Sequence, residues 1–439
     1  MLEAVLNAFK IPDLRRKILF TLAMLAVFRF IASIPVPGVD RGELKDYIAN
    51  NQLLGMLNLF SGGGLSNFSI VALGVYPYIT ASIIMQLMTP IIPRLNELSN
   101  EGQGGRNKIN QYTHWLTVPL ALLQGYGQAL LFANTTGSGG EPLLANFGLF
   151  NSVSVLPTVA ILASMTAGTM VLVWIGELIT ENGIGNGTSV IIFGGIIASL
   201  PGAILQLVSG GSTSQNVIGS VMFAAIGLFT IVAIILINEG QRRIPVHHAK
   251  RVRSGRVYGG NTTFIPLKVN SAGMIPLIFA VSIMVFPGMI ANFLVSSESA
   301  TVRDIAGYIS RVFSPTSLLY NVIYFLMVVA FTFFYTMVVF QQQKIPENLQ
   351  KQGAFIPGVR PGKNTAIYLS KVLNRITLIG ALFLGLVAIL PYIATAITGV
   401  QSLLLGATSM LIVVGVAVDT MRQLEAQLMM RNYEGFIQK

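Results

Sequence analysis

The sequence predicts an all-α, polytopic membrane protein of about ten transmembrane helices, and three observations carry that prediction. Of the 439 residues, 53% are hydrophobic and only 10% are charged, far from the shares found in soluble domains. Mean hydropathy is +0.68. The apolar residues gather into runs of roughly 20, the length a helix needs to cross a hydrocarbon core of about 30 Å.

In chain order, the runs predict spans at 18–36, 70–92, 113–133, 154–175, 184–205, 217–237, 271–294, 317–340, 376–397 and 403–418. Before the first, MLEAVLNAFKIPDLRRK is amphipathic and ends in Arg15, Arg16 and Lys17 without a small-residue cleavage site, so it reads as a retained cytoplasmic tail rather than a signal peptide. The segment 53–68, LLGMLNLFSGGGLSNF, is apolar on several faces, is interrupted by Gly62, Gly63 and Gly64, and runs into the second span without a polar break. Two readings fit it: a half-helix that enters the membrane and turns back, or an amphipathic loop on the outer surface.

Lys and Arg set the orientation, because connections on the cytoplasmic side carry the excess. With the N-terminus inside, the inner segments hold 23 of the 28 basic residues and the outer ones only Arg41, Lys45, Arg303 and Arg311. Arg29, late in the first span, is expected to snorkel outward. Both termini are therefore expected in the cytoplasm. An even number of spans with both ends inside also permits two halves of five, 1–209 and 210–439, meeting at an uncharged Gly, Ser and Gln connection. The inner segments 238–270 and 341–375 stand out. The first contains QRRIPVHHAKRVRSGRVYGG, a polar and strongly basic loop suited to an anionic partner.

Several chemistries are excluded or weakened. Cysteine is absent, which removes disulfides, a thiolate nucleophile and cysteine metal sites. No HExxH, GxSxG or P-loop occurs, and the histidines are His114 and the loop pair His247 and His248. No catalytic residue, metal site or cofactor is expected. Glu177, Glu181 and Asp419 lie at span ends, whereas an ion-coupled carrier usually buries an acid near the midplane. A ten-span solute carrier is the competing class, and a membrane enzyme a weaker third. The pairs Ile79/Ile83 and Thr188/Ile192 each share a helix face. Such pairs are usually packing or lipid contacts.

A set of strings points further. PYITASIIMQL (77–87), ENGIGNGTSVIIF (181–193), QRRIPVHHAKR followed by PLKVNSAGMIPLIF (266–279), and GAFIPGVRPG (353–362), with NLFSGGGLSNFSI, EGQGGRNKINQYT and GATSMLIVV, resemble signatures of the SecY family in the family's order. That family forms the central channel subunit of the bacterial Sec protein translocon, and the resemblance covers essentially the whole chain.

What the resemblance implies is a clamshell of two pseudo-symmetric five-helix halves in the cytoplasmic (inner) membrane. It conducts unfolded polypeptides and releases membrane segments sideways through a lateral gate. A pore ring is implied at Ile79, Ile83, Thr188, Ile192, Ile278 and Ile412, with Thr188 standing where the family has an apolar residue. Aliphatic constrictions dewet and block ions, yet yield to an unstructured chain. A plug helix is implied at 53–68, with Leu57, Phe60, Gly62, Gly63, Gly64 and Phe68. Thr80, Ser82 and Gln86 on one helix and Asn270, Ser271 and Ser282 on another are implied to bridge the closed gate. Arg242, Arg243, Lys250, Arg251, Arg253, Arg256 and Arg360 match docking positions for the ribosome and the motor ATPase SecA; the usual basic doublet is thinned where Gly255 precedes Arg256. Arginine forks suit the phosphates of ribosomal RNA. SecE and SecG subunits, signal sequences and nascent polypeptides are the other implied partners, while anionic lipids are a further expected contact of the basic loops.

Overall fold

The computed structural model describes residues 11–36, 61–133, 154–209, 214–248, 251–253, 256–258, 262–273, 275–295, 299–315, 317–398 and 402–437, with positions 9, 44, 48, 54–55, 57–58, 144 and 147–148. Phe60 and Lys250 of the expected plug and docking sets lie outside the described residues. Each of the ten predicted spans overlaps a helix. These are α1 (Pro12–Ala32), α2 (Tyr76–Met88), α4 (Gln103–Ala133), α5 (Val155–Asn182), α6 (Gly187–Ser209), α7 (Ser214–Glu239), α8 (Ile275–Leu294), α10 (Leu318–Gln343), α12 (Lys363–Thr398) and α13 (Ser402–Ile437). Among the described residues, four stretches are long and apolar enough by themselves to cross a membrane: Gln103–Ala133, Val155–Asn182, Leu318–Lys351 and Lys363–Leu390. The short helices α3 (Pro93–Asn100), α9 (Ala300–Val312) and α11 (Ile345–Lys351) complete the set.

The second span departs from expectation. Instead of a helix from residue 70, residues 61–75 form successive turns broken only by a bridge between Pro35 and Ser69. The helix α2 has only 13 residues, about 20 Å, which is short of the hydrocarbon thickness. Irregular backbone at that depth survives only where protein covers it and its polar groups are paired. The stretch is covered and much of its backbone is paired, although the buried Ser69 hydroxyl has no hydrogen-bond partner among the described residues. Ser61, Leu65, Phe68, Ser69 and 71–75 are buried. The Gly64, Phe68, Ser69, Ala72 and Gly74 amides donate to carbonyls within the same stretch, and the Ile70 amide donates to the Ile34 carbonyl.

The chain forms two compact units. One comprises Met1–Ala225, Val281–Asn321 and Pro391–Lys439; the other comprises Ile226–Ala280 and Val322–Leu390. In the first, α2 packs on α4, α4 on α5, α5 on α6, and α13 on α6. Leu14 of α1, Ile184 of the α5–α6 turn and Leu424 of α13 share a small core. That turn is fastened by the Ile184 amide, which donates to Thr21 Oγ1 at 3.1 Å.

The second unit corrects the reading of 238–270 as a loop. Strand β1 (Gln241–His248) pairs antiparallel with β4 (Thr262–Lys268), from Gln241 opposite Lys268 to His247 opposite Thr262. At its other edge β1 takes β5 (Ala354–Phe355), with His247 opposite Phe355. The hairpin end carries β2 (Arg251–Arg253) paired with β3 (Arg256–Tyr258). Alternation along β1 sends Ile244 and Val246 inward, where they join Leu267, Leu349, Ile356, Leu369, Val372 and Ile376 in one apolar core. The outward face carries the exposed residues Arg243, Pro245 and Phe264.

Candidate functional site

The glycine-bearing segment is gripped by its neighbours. Gly62 has φ 65°, a conformation glycine adopts at low steric cost. A side chain there would place its Cβ 2.5 Å from Phe28 Cζ and overlap the backbone of Gly195 on α6. The Gly62 carbonyl accepts a hydrogen bond from Arg29 Nη1 at 2.9 Å. Arg29 is otherwise exposed, so its expected outward reach and this inward tie coexist. Phe68 is a non-glycine residue at φ 41°, a strained conformation costing roughly 1–3 kcal/mol. Two contacts hold it. Its carbonyl accepts from the Val36 amide at 2.8 Å, and its fully buried ring meets Phe132 edge-on at 5.5 Å. The described positions 54–55 and 57–58 are helical. Leu57 lines a small cavity with Ala72, Leu73, Tyr76, Gln124 and Gln128.

Of the expected ring, Ile79, Ile83, Ile192, Ile278 and Ile412 are all buried. Ile278 belongs to the second unit and the others to the first. Thr188 is different. It is half-buried, and its hydroxyl donates to Asn186 Oδ1 at 2.6 Å. Asn186 Oδ1 also accepts from the Ser189 amide at 3.2 Å, which is the work of a helix N-cap. The hydroxyl at 188 thus has a local task at the start of α6.

The polar residues assigned to the gate bond mostly within their own neighbourhoods. Thr80 Oγ1 donates to the Tyr76 carbonyl, and Gln86 Nε2 to Ser82 Oγ at 3.2 Å. Asn270 Nδ2 donates to Asn238 Oδ1 at 2.8 Å, and Ser271 Oγ to the Lys268 carbonyl at 3.0 Å. A bond that links α2 to α8 comes from a residue the sequence reading did not select: Tyr76 Oη donates to the Ser282 carbonyl at 2.8 Å. A tyrosine in the first turn of a mostly apolar helix, ahead of Pro77, was the available signal. A second tie missed from sequence joins α4 to α5, where His114 Nε2 lies 2.9 Å from Glu177 Oε1 without hydrogen-bond geometry and Asn110 Nδ2 donates to the same oxygen.

The basic residues are brought together in part. Arg242 and Arg243 are exposed on β1; Arg251, Arg253 and Arg256 belong to the hairpin end. Arg360 is exposed between turns in which Gly358 and Gly362 have φ 79° and 98°, and its carbonyl accepts from Thr365 Oγ1. Pairing of β1 with β5 and the burial of Ile356 join the two stretches into one folded body. His247 Nδ1 and His248 Nε2 lie 3.0 and 2.9 Å from the Thr262 and Thr263 hydroxyls, bracing the ladder from its sides.

Solved structures define the class. One described as "The structure of a protein conducting channel" superposes with a TM-score of 0.62 over 96% of each chain at 16% identity. Sec61 in the canine ribosome-channel complex from the endoplasmic reticulum gives 0.60, also over 96% of each chain and at 16% identity. The fold is that of protein-conducting channels, all-helical in the membrane. The SecY family model matches residues 69–421. Over the full length of both chains, the sequence is 44% identical to Protein translocase subunit SecY of Streptomyces coelicolor and 42% identical to that of Mycobacterium tuberculosis. This chain belongs to the SecY family of protein translocase subunits.

Proposed function

We propose that this chain is the pore-forming subunit of the Sec channel in the bacterial cytoplasmic membrane. It passes unfolded secretory polypeptides across the bilayer and releases apolar segments sideways into lipid between α2 and α8. The observation that carries this reading is the segment 61–75, a buried run of turns that takes in the end of the expected plug, 53–68, and the first residues of the expected second span, 70–92. Its polar groups are satisfied mostly from within, so it can leave its place as a unit, as a plug must.

The working parts follow from that. Ile79, Ile83, Ile192, Ile278 and Ile412, with Thr188 at the edge, form an aliphatic seal without directional bonds, tolerant of any cargo sequence. The halves 1–209 and 210–439 open about the pore, and both termini are cytoplasmic. The Tyr76–Ser282 bond is one closure of the lateral gate, worth about 1 kcal/mol, weak enough for an apolar signal sequence to outcompete. Arg242, Arg243, Lys250, Arg251, Arg253, Arg256 and Arg360 dock the ribosome and the SecA motor, which supply the driving energy, and contact anionic lipid headgroups at rest. SecE and SecG complete the channel. The chain itself moves polypeptide and hydrolyses nothing.

A stalled secretory chain, offered to membranes carrying a photoreactive residue at Ile83 or Ile278, tests the reading. Adducts that require a functional signal sequence place the polypeptide in the pore. Absence of adducts at both positions, with the chain engaged, would return a solute carrier to consideration.

A further inference from the structure

We infer that Arg29 is the positioning residue that latches the segment 61–75 and thereby sets how strong a signal must be to open the channel; the inference rests on reading that segment as the plug. Arg29 is the first charge after eleven uncharged residues, 18–28, in an apolar helix. It stands in the last turn of that helix, where a guanidinium at the edge of an apolar span reaches for a polar partner. The partner here is the plug. Arg29 Nη1 donates to the Gly62 carbonyl at 2.9 Å, and a side chain at residue 63 would lie 3.3 Å from the same nitrogen.

Two consecutive residues grip the same glycine from different physical causes. Phe28, fully buried, fills the space a Cβ at residue 62 would occupy, which sets the fit. Arg29 supplies a charge-assisted hydrogen bond, which sets the hold. Among the described residues, the hydrogen bonds of 61–68 otherwise stay within 57–69, apart from the Val36 amide on the Phe68 carbonyl. Breaking the tie therefore frees one end of the segment without unravelling it. Release also strands no buried charge. Most of the Arg29 side chain is exposed, so its donors can turn to water or lipid phosphate once Gly62 departs. Such a contact is firm at rest and cheap to undo.

The test uses the full channel in native membranes and benefits from a chain without cysteine. Asn67→Cys introduces one thiol into the half-buried part of the segment, and its reaction rate with a membrane-impermeant maleimide reports displacement. Arg29→Gln should raise that rate and the ion leak of the idle channel by about fivefold, the effect of losing one partly exposed charge-assisted hydrogen bond. It should also admit precursors with weakened signals. Arg29→Lys, retaining charge with a single pivoting head, should fall between and guards against misfolding of the first variant. Wild-type labelling in both variants would overturn the latch. A rise in leak with continued rejection of weak signals would overturn it too, since that is general loosening. If Asn67→Cys labels equally with and without an engaged secretory chain, the segment does not move, and the plug reading falls first.

Discussion

The segment 61–75 and the sheet β1–β4–β5 are built in opposite ways. The first is a string of turns with glycine at a backbone-to-backbone contact, a strained Phe68 and single polar ties to Arg29, Ile34 and Val36. The second is a seven-pair ladder with a common apolar core and cross-strand histidine–threonine contacts. Many weak, mutually supporting contacts resist local opening, whereas a few discrete ones open together. On the plug proposal, a part that moves and a part that stands still are distinguished by how their contacts are distributed, more than by how many atoms are buried.

Substitutions can break or sharpen that contrast. The largest effect is expected from Gly62→Val, which combines a clash with Phe28 and Gly195 with a forbidden backbone angle and should cost the seated plug roughly 3 kcal/mol or more. The readout is a constitutive ion leak with the rest of the protein intact. Next, Ile244→Ala removes a buried anchor of the sheet at about 2–4 kcal/mol. Faster hydrogen exchange throughout β1 and β4, rather than at one position, is the expected result. Arg360→Glu should leave exchange in the sheet unchanged yet cut motor-driven export by about tenfold, the equivalent of one charge-assisted contact reversed in sign. The smallest effect is Tyr76→Phe, which loses one hydrogen bond of about 1 kcal/mol and should let moderately weakened signals through a few times more often. An unchanged signal threshold would remove Tyr76 from the gate.

Much of this architecture was legible in the sequence because a run of about 20 apolar residues has few options in a bilayer. Nine of the ten runs became helices over most of their length, and the second did so only from Tyr76 to Met88. The turns at 70–75 were hidden by the same logic: that stretch is as apolar as any span, and hydropathy cannot separate a buried turn from a buried helix. Gly62, Gly63 and Gly74, all at positive φ, carried the missing information. The sheet escaped for another reason. Its inward alternation is carried on β1 by Ile244 and Val246 alone, prolines stand at 245 and 266, and β5 arrives 86 residues after the end of β4, counting from Lys268 to Ala354. The amphipathic α9 was read as part of an outer connection because Arg303, Asp304 and Arg311, on the face opposite its apolar stripe, break the apolar run along the sequence. At the site level, the aliphatic residues and exposed arginines were readable as types. Tyr76 was not, because attention to small polar side chains passes over a phenol whose hydroxyl works at the far end of a ring.

The helix beneath the basic sheet has one more consequence. From Lys363 to Leu390 it runs unbroken for 28 residues, a rod of about 42 Å against a hydrocarbon layer of about 30 Å. Its first turns, through Leu369, Val372 and Ile376, are part of the sheet's own core. There is no hinge in that stretch to absorb a push. Torque delivered by a partner at the basic sheet would be carried along a stiff shaft into the bilayer, so the sheet is mechanically geared to a helix long enough to span the membrane.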